Sequence, residues 1–144
     1  MMVALIGLTI FIALFTFGCA GGGGPVVVDN LILAPPANMP ADVQAAPTTV
    51  QEAYRFAVAN PDVLSQIPCY CGCGAIGHTS NYACYVSGEG QDGAPSFDSH
   101  ALGCSICVDI TQDAMRLLRE GQSVADIRAY VDQTYAQYGP SNMP

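Results

Sequence analysis

Pro68-Cys69-Tyr70-Cys71-Gly72-Cys73-Gly74 sets three thiols at every second position. Cys84, Cys104 and Cys107 follow, together with both histidines of the chain, His78 and His100. Thiolate and imidazole are the ligands that soft and borderline metals prefer. Thiols at this density bind metal, form disulfides or carry redox exchange. In an extended chain, alternate side chains share one face, about 6–7 Å apart per two-residue step. Local coiling at Gly72 and Gly74 would draw the sulfurs closer. A disulfide inside Cys-x-Cys is strained, because the bond needs a fitting Cα separation and orientation. The strip therefore suits chelation, including bridging of more than one soft ion. The competing reading pairs Cys69, Cys71 and Cys73 with the distant Cys84, Cys104 and Cys107.

His100, Cys104 and Cys107 form a second group, separated by four and three positions. On a helix these three side chains would share one face near the N-terminus, offering one nitrogen and two sulfurs. The positive helix end would favour thiolate there. Between the groups, Gly77-His78-Thr79-Ser80-Asn81 reads as a turn presenting the imidazole, and Cys84 as a ligand or a disulfide partner. Tyr70, Tyr82 and Tyr85 are expected to pack around the site, and Asp98 to serve as an N-cap. No Cys-x-x-Cys-His haem site, Ser-His-Asp arrangement or glycine-rich phosphate motif is present, and no catalytic residue is assigned.

The elements that must position these side chains read as an all-α domain over residues 49–144. The expectation is a small three- to four-helix bundle with a long Cys/Gly-rich loop. Thr49-Val50-Gln51-Glu52 fits a capping box, and Val50, Tyr54, Ala57 and Val58 then share a helical face. Asn60-Pro61 ends that helix and opens a further turn. Residues 69–95 carry six glycines and read as an irregular loop, which needs a staple. Helical pattern resumes near Phe97, runs through Ala101, Cys104, Val108, Met115 and Leu118, and stops at Gly121. Ser123-Val124-Ala125-Asp126 caps the last helix, which Gly139-Pro140 ends.

The N-terminus bears on location. Met1 to Phe17 holds no charged side chain and suits the apolar region of a signal peptide. Gly18-Cys19-Ala20 resembles a bacterial lipoprotein signal. That resemblance implies a signal peptide over 1–18, lipidation of Cys19 and an extracytoplasmic protein anchored to the outer face of the cell membrane. Residues 19–48, rich in glycine and proline, read as a flexible linker in which Val26 to Val28 and Leu31 to Leu33 could add short extended pieces; an uncleaved N-terminal anchor is the alternative to the lipoprotein signal. Twelve acids against four arginines and no lysine give a net charge of −8. Nucleic acid is excluded as a partner held by phosphate neutralisation, and cations are the natural small partners.

The hexapeptide at 68–73, with Gly77-His78-Thr79-Ser80-Asn81, Cys84, Phe97-Asp98-Ser99-His100-Ala101 and Cys104-Ser105-Ile106-Cys107, resembles the bacterial PCYCGC-motif proteins. These are mostly exported or lipid-anchored and lack an established function. A weaker likeness links Cys104, Cys107 and the segment Gly121 to Tyr130 to the cytochrome c maturation protein H family. That likeness implies a three-helix core and thiol redox ancestry.

Three functions follow as expectations. The first is a metal-binding module using Cys69, Cys71, Cys73, Cys84, Cys104, Cys107, His100 and His78. It would take copper(I) first and zinc second, for storage or delivery, with a metal-donor or acceptor protein as partner. The second is a thiol–disulfide oxidoreductase with Cys104 attacking and Cys107 resolving. The third is a disulfide-stapled interaction domain.

Overall fold

Three helices carry most of the architecture. In the computed structural model, which describes residues 25–28 and 30–143, α2 spans Thr48–Ala59, α4 Ser105–Arg119 and α5 Val124–Tyr135. Two single turns, α1 (Ala41–Gln44) and α3 (Pro61–Leu64), flank α2. Helix α4 is amphipathic and buries Val108, Ile110, Ala114, Met115 and Leu117 against the others. Gly121 ends it at φ 80°, a conformation that a side chain disfavours. Ser123 caps α5 as its sequence indicates, its Oγ accepting the Asp126 N–H at 3.2 Å. The expected capping box at Thr49 is absent. Helix α2 starts at Thr48 behind Pro47, and the Gln51 amide donates back to the Gln44 and Ala46 carbonyls.

The expectation of an all-α fold is corrected to a mainly helical one with two antiparallel ribbons. The first pairs β1 (Val26–Val28) with β2 (Leu31–Leu33) around Asn30, whose φ is 65°. The second pairs β3 (Val86–Glu89) with β4 (Pro95–Phe97), with an irregularity between Val86 and Gly88. Strands this short leave little alternation to read.

Residues 31–46, expected within a flexible linker, pack onto the core. Leu31, Leu33, Met39 and Val43 are buried. Ala34 and Arg55 exchange hydrogen bonds, Ala34 N–H to the Arg55 carbonyl at 3.0 Å and Arg55 Nε to the Ala34 carbonyl at 2.7 Å. The prolines there act as starts rather than spacers: Pro36 opens a 3₁₀ turn and Pro40 precedes α1. The signal segment 1–18 and Cys19 lie outside the described residues. Among the described residues no helix is long and apolar enough to cross a membrane.

The expected loop at 69–95 is also more ordered than its composition indicates. It contains 3₁₀ turns at Cys73–Ile76 and Tyr82–Cys84 and then strand β3. A continuous helix from Phe97 does not form. His100–Leu102 is a separate 3₁₀ turn, Gly103 interrupts, and Cys104 takes an extended conformation (φ −117°, ψ 98°) as the N-cap residue of α4.

Candidate metal centre

The strip at 69–73 is held from both sides. Cys69 donates its backbone N–H to Asn142 Oδ1 at 2.7 Å, and Asn142 returns its own N–H to the Cys69 carbonyl at 3.1 Å. The Asn142 amide also reaches Cys73 Sγ at 3.5 Å. Tyr70 donates to Asp132 on α5 at 2.6 Å. Gly72 turns the chain at φ 84°, so the strip coils instead of running extended. Gly139 lies so close that a Cβ there would sit 2.9 Å from the Tyr70 carbonyl oxygen.

Cys107 sits in the first turn of α4, opposite the strip. Asn81 and Tyr85, both buried, donate to its carbonyl at 3.2 Å and 2.8 Å. Thr111 ties the same network together by donating to Asn81 Oδ1 at 2.7 Å. Of the three tyrosines expected around the site, Tyr85 makes this direct link and Tyr70 the link to α5, while Tyr82 packs at the edge of the core.

All eight sequence-predicted ligands converge. Cys69 Sγ lies 3.5 Å from Cys71 Sγ and 3.4 Å from Cys107 Sγ. Cys71 Sγ lies 3.6 Å from Cys107 Sγ and 3.4 Å from His100 Nε2. Cys104 and Cys107 are 3.1 Å apart, Cys73 and Cys84 3.7 Å. The six described cysteines are free thiols, and these gaps far exceed a disulfide bond of about 2.05 Å. Apart from the short Cys104–Cys107 gap, they are near the edges of a metal tetrahedron: bonds of about 2.3 Å to sulfur and 2.05 Å to nitrogen imply about 3.8 Å between sulfurs and 3.6 Å between nitrogen and sulfur. The donor atoms fall into overlapping groups within 4.8 Å, the largest being Cys71, His100, Cys104, Cys107 and Cys73, His78, Cys84, His100. His100, Cys104 and Cys107 meet as expected, but not as one helical face. A 3₁₀ turn, a cap and a first helical turn bring them together.

The histidines share a carboxylate. Asp98 Oδ1 accepts the His100 N–H at 2.7 Å, and Oδ2 faces His78 Nε2 at 3.4 Å. Asp98 was expected as an N-cap, but Ser99 holds that position of the His100–Leu102 turn; Asp98 instead bonds the chain two residues on and faces an imidazole, an arrangement common behind metal-bound histidine. Its own backbone is fixed by Tyr54, which donates to its carbonyl at 2.7 Å. His78 is 9% exposed, and its Nδ1 is buried without a hydrogen-bond partner. The two rings meet edge to face, centroids 5.0 Å apart. A buried polar atom left unpaired is costly; a metal ion would pair it.

Charge within the cluster is unevenly held. The neighbouring Cys107 thiol, with Cys84 and Cys71, holds the Cys69 thiol well below the ordinary range, burial opposing. Cys107 is pushed up by the same contact with Cys69, by Cys84 and by burial. Burial foremost raises Cys71 and Cys73. A cation beside Cys71, Cys73 and Cys107 would favour their ionised forms.

Residues 34–144 match the family described as proteins of unknown function with a PCYCGC motif. The chain belongs to the PCYCGC-motif family. The family's hexapeptide is the strip Pro68 to Cys73, and the match takes in all eight candidate ligands. Neither a curated protein nor a solved structure matches the chain, and no comparison supports the likeness to the cytochrome c maturation protein H family. Sequence reasoning missed Asn142 and Gly139, which clamp the PCYCGC strip, and Asn81, which anchors Cys107. An asparagine and a glycine far along the chain carry no signal of such contacts.

Proposed function

We propose that this PCYCGC-family chain is a metal-binding protein, with copper(I) the favoured ion and zinc the second. The observation that supports this is the meeting of six free thiols and two imidazoles within ligand distance of one another, with His78 Nδ1 unpaired among them. Copper(I) tolerates clustered thiolates, while zinc takes four donors of mixed sulfur and nitrogen. The role is storage or delivery outside the cytoplasm, with a lipid at Cys19 holding the protein to the outer face of the cell membrane. Cys71, Cys104 and His100 are half-buried whereas the other thiols are buried. That leaves one face of the cluster through which a donor or acceptor protein exchanges the ion.

The test is a count of metals and thiols on the chain purified without oxygen or chelator. Stoichiometric copper or zinc, with the thiols protected from alkylation until the metal is stripped, is the expected result. A metal-free protein that gains none on titration would overturn the reading. Anchoring is checked in the same cells by fatty-acid labelling, which Cys19→Ser should abolish; undiminished labelling of that variant defeats the anchor.

A second reading has its own support. Cys104 and Cys107 are the closest sulfurs, at 3.1 Å, and a cleft of about 310 Å³ opens beside Cys104. As an oxidoreductase, Cys104 thiolate would attack a substrate disulfide and expel one substrate thiolate. Cys107 thiolate would then attack Cys104 Sγ, expelling the second and leaving a Cys104–Cys107 disulfide. Metal-free protein with one reducible pair would favour it.

A further inference from the structure

We propose that the cluster holds two metal ions joined through the thiolate of Cys69, an inference that rests on the metal-binding reading above. The donors divide into two sets. Cys71, His100, Cys104 and Cys107 form the first, with four donors. Cys73, His78 and Cys84 form the second, which also reaches toward His100. His100 Nε2 contacts Cys71 Sγ at 3.4 Å, which commits it to the first set. The second is then one ligand short of a tetrahedron.

Cys69 supplies it. This residue belongs to neither set, yet it lies in both trios that span them: with Cys71 and Cys73, and with Cys84 and Cys107. Each trio takes one member from each set. Cys69 is fully buried, and its backbone N–H and carbonyl are both held by Asn142, so its sulfur is fixed at the seam. A thiolate sulfur has lone pairs enough for two ions, and its share brings the first ion to five donors, a number to which zinc can expand. Ligation by Cys71 and Cys107 on one side, and by Cys73 and Cys84 on the other, brings both ions to it.

A single ion would use four donors and leave the rest without a purpose. Bound in the first set, it would leave His78 Nδ1 still buried and unpaired, with Cys73 and Cys84 buried beside it. Two ions use every donor. They also neutralise more of the charge that six thiolates would otherwise carry in a largely water-free site.

The experiment titrates the metal-free full chain with cadmium(II) enriched in its spin-one-half isotope, because cadmium accepts the same sulfur and nitrogen donors. Two cadmium ions per chain are expected, giving two cadmium NMR signals split by each other. Both signals should correlate with the Cβ protons of Cys69. Cys69→Ser should remove the mutual splitting and weaken the second ion at least tenfold. One ion per chain, or two signals sharing no cysteine, overturns the bridged pair while leaving metal binding intact. No uptake at all overturns metal binding, and the pair with it. The Cys69 correlations are read on the unmodified chain, so the test stands even if the serine variant fails to fold.

Discussion

Asp98 is the residue that contacts both histidines. One carboxylate oxygen fixes the backbone of His100 and the other faces the ring of His78. Asp98→Asn keeps an acceptor for the His100 N–H but removes the negative charge beside His78. Metal affinity should fall by about 10–100-fold, the usual loss when an orienting partner of a ligand is changed. Competition against a chelator measures it, and an unchanged far-UV circular dichroism spectrum would confirm that folding is intact. An unaltered affinity would show that Asp98 only holds the backbone of His100. At this scale the sequence singled out the residues that converge, because cysteine and histidine are rare and chemically distinct. It was silent about their supports. Asn142 is an ordinary polar residue separated by 73 positions from the cysteine that it clamps, and only the folded chain reveals the contact.

Among the elements, the segment from Gly139 to Met143 acts as a strap across the cysteine strip. Its closest approach is at Gly139, where extended backbone passes over Tyr70 and a methyl group would meet a carbonyl oxygen at 2.9 Å. Backbone atoms cannot rotate aside as a side chain can. Gly139→Ala should therefore lift the strap and cost about 1–3 kcal/mol, the range for inserting a group into packed structure. Urea unfolding of the loaded protein reports the loss, and a midpoint equal to that of the parent chain would refute the clamp. Helix ends were legible wherever a local signal set them, as at Ser123 and Gly121. The start of α4 was not. Cys104 fits a helical stripe by spacing, but Gly103 and the extended Cys104 break the run before Ser105. The ribbon of β3 and β4 was not legible because its strands are only four and three residues long, whereas Val26 to Val28 and Leu31 to Leu33 read as short extended pieces and do pair.

For the whole molecule, the question is how far metal and fold depend on each other. The apolar core runs from Leu31 and Leu33 through α2, α4 and α5, and it includes Cys69, Cys73, Cys84 and Cys107. Most of that core does not involve a ligand, so the helices should survive metal removal while the segment between 69 and 85 loosens. Hydrogen exchange read by mass spectrometry checks this. Chelation should speed exchange across residues 69–85 and leave α2 nearly unchanged. Uniform acceleration would instead mean that metal is needed for global folding. The mainly helical class was legible because long amphipathic segments dominate the chain. The ordered N-terminal arm was not, since its prolines and glycines have the composition of a tether. The Asn142 clamp, finally, has a consequence in time. A ribosome adds residues from the N-terminus, so every thiol and imidazole of the cluster is synthesised before the asparagine that fixes Cys69. The nascent chain thus passes through an interval in which the donors exist but the strip is still unlatched.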